Sequence, residues 1–91
     1  MHSLLISYDL RDPHRDYGDL FRTIKRDSRW WHYLKSTWIV VGPRDVPTMV
    51  RTLRPHLEEG DRLLVVPVPA AEALDGLLPQ EAWDWLDRRL D

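Results

Sequence analysis

The chain has 91 residues, 43% of them hydrophobic, which suits one hydrophobic core and leaves too little for two independent ones. The absence of cysteine excludes disulfide bonds and thiolate metal sites, and a formal charge of −2 argues against a protein that coats nucleic acid through bulk positive charge. Without a signal-peptide pattern or a long apolar run, we expect one cytoplasmic domain over residues 1–91, with a core at 1–68 and a C-terminal extension at 69–91.

The first two predicted elements are a strand and a helix. Residues 3–8 alternate with a period of two, which predicts a strand that ends at the acidic Asp9. Asp12 and Pro13 mark a turn, and Asp16 is placed to cap the first turn of a helix that follows. The apolar stripe of that helix consists of Tyr17, Leu20, Phe21 and Ile24.

The next segment, WWHYLKSTWIVV at residues 30–41, holds three of the five tryptophans, and its aromatic and β-branched content predicts strand. One flat strand would place Lys35 among apolar neighbours, so we predict two short strands or one sharply bent strand, with a bulge or tight turn at Lys35 and Ser36. The resulting phase shift would place four side chains on one face: Trp31, Tyr33, Trp38 and Val40.

The second half of the chain predicts a helix, a strand and a terminal helix. Asp45 is suited to cap the second helix, and Pro55 should end or kink it near Arg54 because proline removes a backbone donor. Residues 62–68 carry apolar side chains on both faces, which is typical of a strand covered on both sides. Residues 79–90 read as a terminal helix.

The order of elements predicts an α+β fold of the ferredoxin-like type, β-α-β-β-α-β, in which two helices cover one face of an antiparallel sheet and a C-terminal helix is added. The open face would expose Leu5 and part of the tryptophan segment. We therefore predict a homodimer that packs sheet on sheet through this face. The alternative is a monomer in which the terminal helix folds back over its own sheet.

Basic residues are concentrated in the first half of the chain. Seven of the 13 lysines and arginines fall between residues 11 and 35: Arg11, Arg15, Arg22, Lys25, Arg26, Arg29 and Lys35. They form either a local basic face or a solvated helix surface with interspersed acids. Trp30 lies within this segment, where its ring would either stack on a nucleic-acid base or pack against a neighbouring helix.

Two short motifs in this sequence resemble a known family. The strand-end SYDL at residues 7–10, followed by Arg11 and Arg15, and the STW triplet at residues 36–38 are similar to the CRISPR-associated second Cas protein and to its relatives, the virulence-associated protein D toxins. The resemblance covers roughly residues 1–68, in order and spacing, and leaves the terminal helix outside it.

The resemblance implies a ferredoxin-like homodimer in which Asp9 faces its twin across the dimer axis and holds a divalent metal such as Mg²⁺. It also implies that Ser36 lies near the scissile phosphate and that Arg11 and Arg15 contact phosphates, for which guanidinium groups supply paired donors. A hard cation bound by carboxylates at a phosphodiester would stabilise the developing charge and activate a water. From the residues alone, the commoner role for an aspartate in the position of Asp9 is to cap the turn that follows the strand.

Three functions remain open at this point. One is a dimeric metal-dependent endoribonuclease or deoxyribonuclease that uses Asp9 and acts in antiviral defence or as a toxin. Another is a non-catalytic dimeric scaffold in a larger defence or toxin-type assembly, which is favoured by departures from the family pattern at Leu34 and Trp38, where the family often has glutamine and phenylalanine. The third is a ferredoxin-like regulatory module that binds a small ligand at the dimer interface.

Overall fold

The computed structural model describes residues 1–12 and 14–90, and within these ranges the chain forms an α+β fold, as predicted. The strands are β1 (His2–Asp9), β2 (Arg29–Leu34), β3 (Thr37–Gly42) and β4 (Arg62–Pro67), and the helices are α1 (Gly18–Lys25), α2 (Val46–Leu53) and α3 (Gln80–Arg89). Short 3₁₀ turns occupy Arg54–His56 and Ala71–Ala73. No helix in the described ranges is both long and apolar enough to cross a membrane.

The four strands form one sheet in the order β2-β3-β1-β4, and every pair of neighbours is antiparallel. The central strand is β1, whose Leu5 pairs with Ile39 of β3 on one side and Val66 of β4 on the other. The side chains of β1 alternate between two faces of the sheet because successive residues of a strand point in opposite directions. We call the face covered by α1 and α2 the inner face and the opposite one the outer face.

The inner face carries the larger core. Leu4, Ile6 and Tyr8 of β1 are buried there with the apolar stripes of α1 and α2. Trp38 of β3 is 2% exposed, and its indole Nε1–H donates a hydrogen bond of 2.9 Å to the hydroxyl of Tyr8. Burial raises the pKa of Tyr8, so its phenol remains a neutral acceptor for this bond.

The outer face is covered by α3 of the same chain. Ala82 and Leu86 are almost fully buried, and they pack with Trp31 and Ile39 of the sheet. The indole Nε1–H of Trp31 donates to the carbonyl of Ala82 at 3.2 Å, which satisfies a polar group that would otherwise be buried without a partner. Much of the apolar surface on which we predicted sheet-on-sheet packing is therefore covered within the chain.

The tryptophan segment forms two strands with a turn at Lys35 and Ser36, as predicted, but its faces differ from the prediction. Trp31 pairs directly with Ile39 and lies on the outer face, whereas Trp38 belongs to the inner core. The prediction that Trp31 and Trp38 share a face is wrong. The pairing register of β2 with β3 shifts between Trp31 and Leu34, inside β2 and not at the turn. Trp31 therefore lies on the same face as Ile39, its direct partner in β3.

Arg44 anchors the C-terminal end of α1 to the loop before α2. Its guanidinium donates hydrogen bonds of 2.9 Å to the carbonyls of Thr23, Ile24 and Arg26. A cation placed against the last carbonyls of a helix satisfies groups that have no intrahelical partner and complements the helix dipole. This contact fixes the position of α1 on the inner face.

Helix α2 begins and ends as predicted. The carboxylate of Asp45 accepts a hydrogen bond from the backbone N–H of Thr48 at 3.0 Å, and that bond lowers the pKa of Asp45. The helix ends at Leu53, and the chain continues as a 3₁₀ turn that contains Pro55. The two ends of α2 are thus set by Asp45 and Pro55, whose local preferences are recognisable in the sequence.

We expect Asp45→Ala to lower the melting temperature by a few degrees at neutral pH, because the N–H of Thr48 loses its acceptor. The folded-state pKa is lowered, so this stabilisation is complete above the pKa of the unfolded chain and is lost as the pH falls through the lower folded value. The difference in melting temperature between wild type and Asp45→Ala should therefore shrink as the pH falls below the ordinary pKa of an aspartate. Asp45→Asn is the control, because its amide oxygen caps the helix at every pH; a difference that stays constant with pH would contradict the expectation.

Candidate functional site

One end of the outer face is left exposed by α3. It lies where β1 ends, and we call it the open end; its residues are Ser7, Asp9, Thr37, Arg62 and Leu64. The exposed Asp9 stands directly opposite the exposed Arg62 in the β1–β4 register. Leu64 beside them is 60% exposed, and the hydroxyls of Ser7 and Thr37 lie 3.3 Å apart. The open end therefore combines a carboxylate, a guanidinium, two hydroxyls and an apolar side chain.

Ser36, the second predicted catalytic residue, lies in the turn next to this end of the sheet. The backbone N–H of Tyr8 donates to the carbonyl of Ser36 at 3.0 Å, which holds the turn against β1 one residue before Asp9. The hydroxyl of Tyr8 also points to the carbonyl of Lys35, at 3.5 Å. The fold thus brings Asp9 and Ser36 to the same end of the sheet, although 26 residues lie between them in the sequence.

Metal binding by one copy of this site would rely on few ligands. In residues 1–12 and 14–90, no group of three or more histidine or acidic side chains is arranged to hold a metal ion. Asp9 offers one exposed carboxylate, the donor that Mg²⁺ prefers, while Arg62 opposite adds a positive charge that disfavours a cation. A cation at Asp9 would therefore need further ligands from water, from a substrate or from a second copy of the chain.

Arg11 and Arg15 line a groove of mixed charge between the β1–α1 loop and the α2–β4 loop, together with Asp12, Glu58 and Glu59. The guanidinium of Arg11 donates to the carbonyl of Glu59 at 3.2 Å, and Arg15 forms an ion pair with the carboxylate of Glu58. Both predicted phosphate contacts thus have partners within the chain. Acidic side chains in the same groove would oppose the approach of a phosphate.

Asp61 links the two loops that border this groove. Its carboxylate accepts hydrogen bonds from the backbone N–H groups of Arg11 and Glu58, at 2.8 and 2.7 Å, and from the hydroxyl of Tyr17, at 3.1 Å. Burial of the phenol and the nearby carboxylate of Asp61 raise the pKa of Tyr17. In the sequence Asp61 is visible only as a turn residue after Gly60, because its partners lie up to 50 residues away.

Trp30 lies on the other side of the sheet, beside Val40 of the inner face. Its ring is 44% exposed, and its centroid lies 5.6 Å from that of Trp38, so it both packs on the core and reaches the surface. The Nζ of Lys25 lies 4.6 Å from the Trp30 ring centroid, within range of a cation–π interaction. His32 follows two residues later and stacks on Trp38 at 3.7 Å.

The predicted site residues therefore fall in three places. Asp9 and Ser36 meet at the open end, Arg11 and Arg15 meet in the mixed-charge groove, and Trp30 lies apart from both. Sequence reasoning did not single out Arg62, which faces Asp9 only because β1 and β4 pair in this register.

Comparison of the chain with protein-family models, with curated proteins and with solved structures gives no match. The family resemblance of the SYDL and STW motifs thus stays a prediction.

Proposed function

We propose that this protein is a homodimer that acts on nucleic acid, with two copies joined at the open end and their Asp9 carboxylates sharing a divalent cation that cleaves phosphodiesters. The observation that carries the proposal is the position of Asp9. It is exposed at a part of the outer face that α3 leaves uncovered, next to an apolar side chain, Leu64, that is 60% exposed. An acidic group beside an exposed apolar one suits a contact between copies that also holds a cation.

We assign the fold to the ferredoxin-like type. In support, β3 separates β1 from β2, and β1 separates β3 from β4, so each helix connects two strands with a third strand between them. Two interlocked units of this kind, in the order β-α-β-β-α-β, define the split β-α-β arrangement. The assignment agrees with the resemblance in the motifs of β1 and the β2–β3 turn, and it makes α3 an addition that covers part of the outer face.

A two-fold axis at the open end would place the two Asp9 carboxylates close to each other. Like charges in proximity repel, so such a dimer requires either a cation between the carboxylates or neutralisation by the neighbouring Arg62. With a cation, the pair becomes a metal site of oxygen ligands completed by water. The dimer is then expected to be tighter in Mg²⁺ than in EDTA.

The chemistry of such a site would be hydrolysis of a phosphodiester in RNA or DNA. A Mg²⁺ ion supplies charge stabilisation for the phosphoryl oxygens and lowers the pKa of a bound water. Asp9 would hold the ion, and Ser36 would lie near enough to contact the phosphate. Water attacks phosphorus, the bond to the leaving oxygen breaks, and a proton from water ends on that oxygen.

We expect Asp9→Asn to reduce cleavage of labelled single- or double-stranded RNA or DNA by about 100-fold or more, because the metal loses its protein ligand. Cleavage is measured in Mg²⁺ or Mn²⁺, with EDTA in parallel, and Asp87→Asn on α3 serves as the matched control because it removes an exposed carboxylate elsewhere. Activity that survives in Asp9→Asn or in EDTA would refute the proposed site.

A second candidate is a non-catalytic dimeric scaffold, and the position of Arg62 favours it. Arg62 of each copy would neutralise Asp9 in place of a metal, and the acids beside Arg11 and Arg15 would weaken binding to phosphate. Sedimentation equilibrium separates the candidates: a dimer strengthened by Mg²⁺ supports the metal site, and a dimer that ignores Mg²⁺ but is weakened by Arg62→Ala supports the scaffold. A monomer under all conditions contradicts both.

A further inference from the structure

Four aromatic rings form a stack that crosses the inner core and ends at the surface. From the inside outwards they are Tyr8, Phe21, Trp38 and His32, with centroids separated by 6.1, 6.0 and 3.7 Å. The last two rings are almost parallel, at 12°, and His32 is exposed. The exposed ring of His32, which lies flat on Trp38, is therefore a platform on which another flat ring could stack.

Cations lie beside this platform. The Nζ of Lys25 is 4.6 Å from the centroid of the half-exposed Trp30 ring and 5.7 Å from that of Trp38. Arg22 lies three residues before Lys25, on the same side of α1, and Arg26 is the C-cap residue of that helix. These three cations line a shallow groove of about 450 Å³ together with Asp19, Thr23 and His56. We call Lys25, Arg26, Trp30 and His32 the cation–aromatic edge.

The ordinary demands of folding account for part of this edge. Cations in the last turn of a helix are favoured by the helix dipole, and Trp38 is required as core. His32 also has a structural contact of its own, because its Nε2 lies 3.1 Å from the carbonyl of Lys35 in the β2–β3 turn. Folding does not, however, require a half-exposed Trp30 beside cations without acidic partners. In the described part of the chain the ion pairs are Arg15 with Glu58 and Arg22 with Asp19, which leaves Lys25 and Arg26 outside them.

We infer that the cation–aromatic edge binds single-stranded nucleic acid, with bases stacked on Trp30 and His32 and phosphates paired with Lys25 and Arg26. The inference rests on the nucleic-acid part of the proposed function and specifies the form of the ligand. Stacking on protein rings requires bases whose faces are free, which a duplex does not offer. A phosphate that pairs with Lys25 draws the ammonium away from Trp30 and frees that ring for a base.

The test measures binding of short fluorescein-labelled oligothymidine and oligouridine strands by fluorescence anisotropy at low salt. EDTA is present, so binding is measured without cleavage. Trp30→Ala is expected to weaken binding about tenfold, as the loss of a stacked base implies. Lys25→Gln is expected to weaken binding and to reduce the slope of log K against log salt by about one. Arg51→Gln, which removes an exposed cation from α2, is the matched control and should bind like wild type.

Lys25 is exposed, so its variant keeps the test decisive even where Trp30→Ala is poorly folded. Tighter binding of either strand than of a duplex of the same length supports the inference and identifies the preferred sugar. Wild-type affinity in both variants, preference for the duplex, or no binding by wild type overturns it. A protein that binds through Trp30 and Lys25 but never cleaves would refute only the Asp9 site, whereas Asp9-dependent cleavage with unchanged binding by both variants would refute only the cation–aromatic edge.

Discussion

Leu86→Ala is expected to lower the free energy of unfolding by about 2–5 kcal/mol, the range for truncating a fully buried leucine. Leu86 is 1% exposed and lies between α3 and the outer face, in the cluster that contains Trp31 and Ile39. Truncation removes apolar contacts from both the helix and the sheet, and the cavity cannot close because large rings border it. In a chain of 91 residues this is a large share of the total stability.

The measurement is urea unfolding followed by circular dichroism, with Leu77→Ala as the matched control. Leu77 is the same residue type at 99% exposure, so its truncation should change stability by less than about 0.5 kcal/mol. A loss of similar size in the two variants would contradict the packing of α3 on the sheet. Because the proposed dimer would itself make the midpoint depend on protein concentration, wild type and both variants are compared at one concentration.

Trp38→Ala is expected to cost about 3–5 kcal/mol of stability. Trp38 is 2% exposed and contacts Phe21, Trp30 and His32, so its removal opens a large cavity in the inner core. It also removes the indole donor that lies 2.9 Å from the hydroxyl of Tyr8, and the loss of that hydrogen bond inside the core adds to the cost.

Two further variants are compared with Trp38→Ala in thermal and urea unfolding. Trp38→Phe keeps an aromatic ring but has no N–H, so it should lose less stability than Trp38→Ala and more than a conservative surface change. Trp30→Ala, at a ring that is 44% exposed, should cost clearly less than Trp38→Ala. Equal losses at the two tryptophans would contradict the assignment of Trp38 to the core and of Trp30 to the surface.

The indole of Trp38 also connects the inner core to the β2–β3 turn. Its N–H donates to the hydroxyl of Tyr8 at 2.9 Å. That hydroxyl lies 3.5 Å from the carbonyl of Lys35, and the backbone N–H of Tyr8 donates to the carbonyl of Ser36. Trp38 and Tyr8 thus link the core to the end of the sheet that carries Asp9.

The sequence by itself determined the elements and most of their ends; the start of α1 is an exception, because its N-cap is Tyr17 and the carboxylate of the predicted cap, Asp16, accepts from the N–H of Gly18. Alternation over β1, the cap at Asp45 and the break at Pro55 act within a few residues, so the backbone preferences that they express can be recognised without knowledge of the fold. The turn at Lys35 and Ser36 was predictable for the same reason: continuing the strand would have placed a charged residue among apolar ones.

The tertiary structure decided which face each ring occupies and which groups meet. The register shift inside β2 places Trp31 under α3, and no local pattern marks the residue at which it occurs. The partners of Arg11 and Arg15, which are the carbonyl of Glu59 and the carboxylate of Glu58, lie more than 40 residues further along the chain. Arg62 faces Asp9 only through strand pairing. Such contacts depend on how elements pack after they form, because side chains distant in sequence meet only once the sheet order and the helix positions are fixed.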